Sequence, residues 1–306
     1  MTIKKAFTLI ELLVVIAIIG ILSSLIVVSM SGMTEKANIA KTQVYYNSMR
    51  NALLGDLVSE WKFEEGSGAT AYDSWSGGGA STGAANGTIT GATYLSSTSG
   101  SCLYGSCLNF SGTGQYVTIA HANVPIFTTK LTAMAWIKGA SAVDKVVIGQ
   151  LASPTTQISW VIYNATGKLR TTVSCDGTAT TNYKSAVSTT VNGFDNKWHL
   201  VGFVFNAGTL TPYIDGVAIA VTPTTAGTCN SLFDSSAALT MGADLISGSY
   251  SNLYTGILDD TKIYKEVITT SQIKEMYYSG LNSLLTAGKI SVEEYSQKIN
   301  NIGLNK

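Results

Sequence analysis

The N-terminal stretch constrains this chain more than any other part of the sequence. Lys4 and Lys5 precede Ala6, and an apolar run then extends from Phe7 to Val28. A helix needs roughly 20 apolar residues to cross a bilayer, so this run is long enough to do so. One carboxylate, Glu11, lies inside the run, and an anchor needs no such residue.

Glu11 requires a positive partner. An acid in a membrane helix costs about 2.5–3.5 kcal/mol on insertion scales, and such residues are usually paired and functional. Cleavage after Ala6 would create a new ammonium group on Phe7, four residues before Glu11. Because one helix cannot easily pair both of its own groups, the sequence favours pairing between neighbouring copies of the chain.

The residues Lys4-Lys5-Ala6, followed by Phe7-Thr8-Leu9-Ile10-Glu11 and the apolar run, resemble the class III signal of type IV prepilins and pseudopilins. The resemblance implies cleavage between Ala6 and Phe7 by a prepilin peptidase, followed by N-methylation of Phe7. It also implies helical assembly in which Glu11 pairs with the Phe7 amine of a neighbour. Two departures are Ala6, where glycine is usual, and Val28, where many pilins carry a proline.

Two simpler interpretations of the N-terminus explain less. An ordinary secretory signal has a shorter apolar core and an A-x-A-like cleavage site, whereas Leu22-Ser23-Ser24 offers only a weak one. A plain membrane anchor accounts for the two lysines through the positive-inside rule. It leaves Glu11 without a purpose.

The overall charge gives no basic footprint for nucleic acid. Lysine plus arginine equals aspartate plus glutamate at 19 each, and charged residues make up only 12% of the chain, against about 25% in typical domains. Glycine, serine and threonine are abundant instead, which is typical of an exported, β-rich protein that faces copies of itself.

The four cysteines are expected to form disulfides after export to an oxidising space. Four cysteines allow three pairings. We expect Cys102–Cys107, because the intervening Leu-Tyr-Gly-Ser suits a turn, and this leaves Cys175–Cys229 as a long-range staple. Four free thiols are the alternative, and the spacing does not favour a metal site.

An amphipathic helix is predicted from Ser29 to about Leu57, since apolar residues recur there at intervals of three or four. It would continue the apolar run, so that Phe7 to Leu57 form one rod of roughly 75 Å. The rod's first half would lie in the membrane or the filament core. Its second half would pack against a globular domain.

From Trp61 onward, short alternating runs separated by turn residues predict an antiparallel sandwich or barrel. Asp215-Gly216 is a strong hairpin signal. Residues 76–88 are predicted to be a loop. The predicted strands include Tyr116–Ile119, Met134–Ile137, Val146–Ile148, Ile158–Tyr163, Lys168–Val173, His199–Phe205, Thr211–Ile214 and Lys262–Tyr264.

Eight weak motifs in this region follow one another in the order found in the laminin-G-like, concanavalin A-like family, which the region from Glu60 to Tyr278 resembles. They are Trp61-x-Phe63-Glu64-Glu65-Gly66, Asp73-Ser74 with a short loop to Asn86-Gly87, Cys107-Leu108-Asn109-Phe110, Ala135-Trp136-Ile137, Lys197-Trp198-His199, Tyr213-Ile214-Asp215-Gly216, Gly256-Ile257-Leu258-Asp259-Asp260 and Thr270-Ser271-Gln272-Ile273. The resemblance implies a β-sandwich jelly roll whose first and last strands are adjacent.

The expected fold class is therefore α+β, with a long N-terminal helix, an antiparallel β-sandwich and a short helical tail. The expected boundaries are a leader at 1–6, a pilin helix at 7–58 with its assembly segment at 7–28, the sandwich at 59–279 and the tail at 280–306. The tail prediction rests on the capping-box pattern Ser291-Val292-Glu293-Glu294 and the apolar positions around it.

No catalytic constellation is evident, and we expect no enzyme activity. The two histidines, His121 and His199, have no nearby nucleophile pattern. Paired acids of the glycosidase type do not occur on any predicted strand, because Asp259 and Asp260 are adjacent and point to opposite faces. The structural interpretation of His199, in the core or at the surface, is the favoured one.

Calcium is the one candidate cofactor. Because the first and last strands should be neighbours, Asp73 and either Asp259 or Asp260 could supply oxygen ligands. The alternative, which the sequence favours, is that Asp73 caps a turn and Asp259 accepts backbone amides. Among the five tryptophans, Trp75 is the best candidate for an exposed ligand-binding residue, and packing at a subunit interface is its alternative role.

The sequence thus predicts a structural subunit of a type IV pilus-like filament, inserted in the cytoplasmic membrane before assembly and extracellular afterwards. Its expected partners are other copies of itself, a prepilin peptidase and the pilus assembly machinery. The alternative is a minor pilin or surface adhesin whose sandwich binds glycan or protein. No nucleic-acid partner is expected.

Overall fold

The computed structural model describes residues 8–24, 44, 48, 51–75, 85–96, 101–140, 143–153, 157–190 and 193–303. The chain divides into two compact units, Met1–Ser48 and Met49–Lys306. In the first unit, residues 9–24 form helix α1, and residues 44 and 48 are also helical. The rest of the predicted rod up to residue 50 lies outside the described residues. In the described ranges, no helix combines the length and apolarity required to span a membrane.

The helical segment directly before the first strand ends earlier than the sequence suggests. Residues 51–53 are helical, and the chain then turns, with the Asp56 amide donating to the Leu53 carbonyl at 3.0 Å. Leu57 starts the first strand and pairs with Tyr264. The sequence placed the end of the helix at Leu57 and the start of the sandwich at residue 59. Both boundaries are too late, because residues from Leu57 onward pair with the last strand of the head.

The head is built from short strands, listed here in chain order as the structure has them. They are β1 (Leu57–Trp61), β2 (Thr70–Ala71), β3 (Gly87–Thr90), β4 (Thr93–Ser96), β5 (Ser106–Ser111), β6 (Tyr116–Ile119), β7 (Lys130–Ala140), β8 (Lys145–Ser153), β9 (Gln157–Ala165), β10 (Lys168–Ser174), β11 (Tyr183–Ser188), β12 (Asp195–Asn206), β13 (Thr209–Ile214), β14 (Val217–Ala218), β15 (Val221–Ala226), β16 (Leu239–Met241), β17 (Asp244–Ile246), β18 (Ser249–Ser251) and β19 (Thr255–Tyr264). Two helices follow, α2 (Thr270–Thr286) and α3 (Val292–Asn301).

These strands form two sheets. The first has the order β14-β13-β12-β7-β19-β5-β4, with β1 also paired to β19, so the first and last strands are adjacent as expected. The second has the order β15-β11-β10-β9-β8-β16-β6-β3-β2, and β17 adds to β8 in parallel. The predicted strands all fall within these elements. β3 begins at Gly87, inside the predicted loop, whose residues 76–84 lie outside the described residues.

The main core lies between the two sheets. In β7, Ala133, Ala135 and Ile137 point into it, and in β12 the alternate residues Phe203 and Phe205 do so. This alternation is what a period of two residues produces in a strand. The largest buried rings in the core are those of Trp61, Phe63, Phe110, Trp160, Phe203, Phe205 and Tyr254.

The opposite face of the first sheet is also buried, because α2 covers it. Trp136 of β7 stacks on Tyr277 of α2 with ring centroids 5.5 Å apart. Gly280 packs against the same indole, where a side chain would collide with the ring. Seven consecutive residues of β7, from Leu131 to Ile137, are therefore buried, and the strand lacks the expected polar side.

Helix α2 begins ten residues before the tail that the sequence predicts. Thr269 and Gln272 form a reciprocal capping box, in which the Gln272 amide donates to Thr269 Oγ1 and the Thr269 amide donates to Gln272 Oε1. The boundary expected at 279/280 thus falls inside a helix. Ser291 caps α3 as expected, accepting a bond from the Glu294 amide.

Two disulfides hold the head, Cys102–Cys107 and Cys175–Cys229. This is the pairing expected from the sequence. The first closes a tight loop beside β5, and the second joins the end of β10 to a segment 54 residues further along the chain.

Candidate functional site

The start of α1 holds Glu11 in a local capping arrangement. The Glu11 carboxylate oxygen Oε2 accepts bonds from the Thr8 amide at 2.9 Å and the Thr8 hydroxyl at 2.8 Å. This is the geometry of a capping box, in which an acid three residues after the cap satisfies the free amide. In the single chain, the Glu11 carboxylate is therefore bonded to the amide and hydroxyl groups of Thr8, at the N-terminal end of its own helix. Ala6 and Phe7 lie outside the described residues.

The remainder of α1 is an apolar rod. Every side chain from residue 8 to residue 24 is exposed, including those of Leu9, Ile16 and Ile21. A helix that is apolar on all sides is stable only when surrounded by lipid or by other apolar surfaces. Glu11 is the one ionisable residue between positions 8 and 24.

Asp73 is used by the backbone around it. Its oxygen Oδ1 accepts bonds from the amides of Glu60 and Trp75, at 2.9 and 3.0 Å, and Oδ2 accepts one from Ala85 at 3.2 Å. Burial nevertheless raises the pKa of this carboxyl, despite those amides. The bond from the Trp75 amide caps a local turn, as the sequence favoured, and the bonds from Glu60 and Ala85 tie the acid to β1 and to a second loop.

Asp259 and Asp260 have separate partners. Asp259 accepts bonds from the amides of Leu103 and Tyr104, and burial together with the charge of Asp260 raises its pKa. Asp260 contacts Lys262. Among the residues that the structure describes, no group of three or more acidic, histidine or cysteine side chains is placed to hold a metal ion. The geometry therefore gives no support to calcium ligation by Asp73 with Asp259 or Asp260.

Trp75 is half-buried rather than exposed. Its indole nitrogen is enclosed and has no hydrogen-bond partner within the described part of the chain. The residue stands directly before residues 76–84, which fall outside that part. The observed position suits packing at least as well as it suits stacking on a sugar.

A histidine between two carboxylates is the site that sequence reasoning missed. His199 Nδ1 lies 2.7 Å from Asp215 Oδ2, and His199 Nε2 lies 3.0 Å from Asp195 Oδ1. Burial alone would lower the pKa of His199, but Asp215 and Asp195 outweigh it and raise the pKa. Asp215 also accepts a bond from the Leu200 amide and interacts with Tyr277 of α2. The cluster thus ties a hairpin turn to β12 and α2.

We expect the free energy of unfolding to fall as the pH rises above about 6.5, the usual pKa of histidine. The pKa of His199 is higher in the folded chain than in the unfolded chain, so the protonated imidazole stabilises the fold fully at pH values below the unfolded-state pKa. That stabilisation is lost as the pH rises through the folded-state pKa. Urea unfolding at a series of pH values measures this. His199→Gln should flatten the dependence, and Asp195→Asn should move the loss to lower pH. An unchanged profile in His199→Gln would contradict the assignment.

An aromatic surface with two half-buried tyrosines lies on the second sheet, on the side away from the core. Tyr116 of β6 and Tyr250 of β18 stack with centroids 3.6 Å apart, and the Tyr250 hydroxyl lies 3.3 Å from Thr118 Oγ1. Thr88 and Thr90 of β3 are exposed and lie opposite Thr118 and Tyr116. The alternating pattern of Tyr116–Ile119 is enough to predict that the Tyr116 side chain points away from the core. No pattern in the sequence predicts that Tyr250 stacks on it.

Comparison with solved structures shows the same fold in bacterial binding domains. The binding domain of Paraclostridial Mosquitocidal Protein 1 matches with a TM-score of 0.55 and 15% identity, over 75% of this chain and 53% of that one. The ligand-binding domain of botulinum neurotoxin serotype D, in complex with N-acetylneuraminic acid, matches with a TM-score of 0.54 and 13% identity, over 76% and 53%. The chain thus spans about half the length of these two structures.

A smaller domain gives the same result over nearly its whole length. Domain 4 of AbnA, a GH43 extracellular arabinanase from Geobacillus stearothermophilus, in complex with arabinotriose, matches with a TM-score of 0.50 and 15% identity, over 72% of this chain and 98% of that one. At these identities the likeness concerns the fold alone. No curated protein matches the sequence significantly.

Two family models match the sequence. The prokaryotic N-terminal methylation motif covers residues 1–27, and the concanavalin A-like lectin/glucanases superfamily, in its laminin-G-like form, covers residues 111–274. The second match takes in more than half of the chain, and the structure adds β1 to β5 to the same sandwich. The chain belongs to the concanavalin A-like lectin/glucanases superfamily and carries a prokaryotic N-terminal methylation motif ahead of that domain.

Proposed function

We propose that this protein is a structural subunit of a type IV pilus-like filament, assembled through α1 with the β-sandwich head on the filament surface. The observation that carries the proposal is Glu11. It is the one ionisable group in an otherwise apolar exposed helix, and it stands inside a matched N-terminal methylation motif. Among the residues that the structure describes, Thr8 is the one that its carboxylate contacts.

In the proposed mechanism, a prepilin peptidase cleaves between Ala6 and Phe7, and the Phe7 amine is methylated. The assembly machinery then moves α1 from the cytoplasmic membrane into the filament core. There Glu11 exchanges its bonds to Thr8 for the Phe7 ammonium of a neighbour. An unpaired charge in that dry core would be costly. Subunits are therefore stable only in the axial register that brings Glu11 of one copy to the Phe7 ammonium of the next.

Mass spectrometry of the native protein, combined with electron microscopy of material sheared from cells, tests this function. We expect filaments that contain the chain, and we expect the chain to begin at a methylated Phe7. A chain that still begins at Met1, or one that has lost residues 7–28 altogether, would rule out the filament role.

A second candidate function is adhesion, in which the head binds a glycan. The aromatic surface of Tyr116, Tyr250 and the threonine hydroxyls around them supports it, because a tyrosine pairs an apolar ring with a hydroxyl group and a sugar ring can stack on the one and bond to the other. Two structures with the same fold were obtained with saccharides, N-acetylneuraminic acid in one and arabinotriose in the other.

Binding of intact filaments to immobilised sialylated and arabinan oligosaccharides tests adhesion. If the proposed surface binds sugar, Tyr250→Ala should lower the retained amount by about tenfold, the effect of losing one stacking contact worth roughly 1.5 kcal/mol. Tyr104→Ala, beside the Cys102–Cys107 disulfide, is the control and should bind normally. Loss of sugar binding in Trp75→Ala would indicate that the sugar binds at Trp75 instead. Loss of sugar binding after addition of a chelator would indicate that a bound calcium ion is required. No retention of the parent filaments would exclude these sugars.

A further inference from the structure

Three ionisable side chains are buried together where the first strand of the head meets the last. Glu60 of β1 and Asp260 and Lys262 of β19 are 1%, 7% and 4% exposed. Charged groups almost never occupy such positions unless they are paired or coordinate a metal. None of the three belongs to the α1 segment or to the aromatic surface of Tyr116 and Tyr250.

The contacts centre on the Lys262 amine. Its Nζ atom is in contact with Asp260 Oδ2 and lies 3.5 Å from Glu60 Oε1. The other oxygen of Glu60 accepts a bond from Ser74 Oγ at 3.2 Å and lies 3.4 Å from Lys62 Nζ. One amine therefore faces two carboxylates, and one of those carboxylates has a second positive partner nearer the surface.

A β-bulge creates this arrangement. Asp259 lies opposite Trp136 and Lys262 lies opposite Met134, so three steps along β19 match two along β7. Asp260, in the bulge, has a φ of 40°, which is rare for a residue with a side chain. On the other side of β19, Glu60 pairs directly with Lys262. The backbone thus holds an amine, a carboxyl group and a second carboxylate together before any ligand is added.

We propose that Lys262 and Asp260 condense to an intramolecular amide bond, with Glu60 as the proton-transfer group. A proton first passes from the Lys262 ammonium to the Asp260 carboxylate, which gives a neutral amine and a neutral acid. The Lys262 nitrogen then attacks Asp260 Cγ. Glu60 takes a proton from this nitrogen and gives it to the departing hydroxyl group, so that one C–N bond forms, one C–O bond breaks and one water molecule leaves.

Burial and proximity both favour this reaction. Water is displaced from the site, and the neutral amide replaces two charges that a dry interior disfavours. The reacting groups are held in contact by the fold, which removes the entropic cost of bringing them together. After the reaction, Glu60 remains anionic and keeps the partners that it already has, Lys62 and Ser74. No oxidant, metal or second substrate is required.

Peptide mass spectrometry of the purified full chain, after reduction and alkylation, tests the bond. We expect the peptide containing residues 260–262 to be lighter by the mass of one water molecule and to resist trypsin after Lys262. The Lys262 amine should also escape reductive methylation in denaturant. Lys130, whose amine lies 2.7 Å from Glu266 at the surface, is the internal control and should be labelled and of normal mass.

Variants separate the bond from other dehydrations. Asp260→Asn, which is nearly the same shape, should lose one ammonia molecule instead of one water molecule. Glu60→Gln should slow formation by about 10²-fold, the lower end for removal of a general acid–base group. An unchanged parent mass overturns the proposal. So does a lighter peptide whose Lys262 is still labelled, because that signifies a cyclic imide at Asp260, and so does a link from Lys262 to Glu60.

Discussion

A Glu11→Ala variant should accumulate in the membrane and form no detectable filaments. In the proposed filament, the substitution leaves the Phe7 ammonium of each neighbour without a partner. Removing one member of a buried ion pair costs about 3–5 kcal/mol. That corresponds to a loss of roughly 10²- to 10⁴-fold in each subunit association, and a polymer repeats this loss at every subunit.

The competing explanation for such a result is loss of the helix cap, and Thr8→Ala separates the two. Thr8 supplies the hydroxyl that Glu11 contacts in the single chain, and loss of an N-cap costs about 0.5–2 kcal/mol. We expect Thr8→Ala to retain filaments in reduced number. We also expect Glu11→Gln, which keeps the shape and loses the charge, to fail like Glu11→Ala.

Counting filaments by electron microscopy, with the membrane-bound chain measured by immunoblot, decides between these outcomes. Abundant filaments from Glu11→Ala would contradict the assembly mechanism. Equal losses in Thr8→Ala and Glu11→Ala would assign the effect to the helix cap.

The second large effect is expected from Trp136→Ala, which should destabilise the head by about 3–5 kcal/mol, the usual cost of truncating a buried tryptophan. Trp136 is 1% exposed, and Tyr277 and Gly280 of α2 both pack against its indole ring. Truncation removes the stacking partner of Tyr277 and opens a cavity under the helix. Urea unfolding followed by far-ultraviolet circular dichroism measures the loss.

Two further variants make this prediction specific. Trp75→Ala, at a half-buried position, should cost about 1 kcal/mol, which is typical of point substitutions. Gly280→Val should strongly destabilise the parent chain, because the valine side chain would collide with the Trp136 ring. The same substitution should cost much less in a chain that already carries Trp136→Ala, because the ring is then absent. Additive losses in the double variant, or equal losses in Trp136→Ala and Trp75→Ala, would show that Trp136 does not support α2.

Several features of the head could be predicted because their signals are local. Alternation of apolar residues located β6 to its residue bounds, Tyr116–Ile119, and found the interior of β7, β9 and β12. The Asp215-Gly216 hairpin and the cap at Ser291 were likewise confirmed, since both depend on residues a few positions apart. The order of the family motifs predicted that β1 and β19 are neighbours.

Other features depend on partners that are distant in sequence. Leu57 was assigned to the helix by its spacing, but pairing with β19, some two hundred residues later, makes it a strand residue. Asp73 and Asp259 accept backbone amides, as the sequence favoured, but their donors Ala85 and Leu103 lie in loops that only folding brings near. His199 gains Asp195 and Asp215 in the same way.

The sequence by itself determined that the chain carries a methylation motif around Glu11 and continues as an antiparallel β-sandwich, because leader motifs, strand alternation and turn residues act through neighbouring positions. Only the tertiary structure decided which face of the first sheet α2 covers and which carboxylates meet Lys262. Those outcomes depend on burial and charge pairing between distant segments, and a charged side chain has the same local pattern whether it ends in solvent or inside the protein.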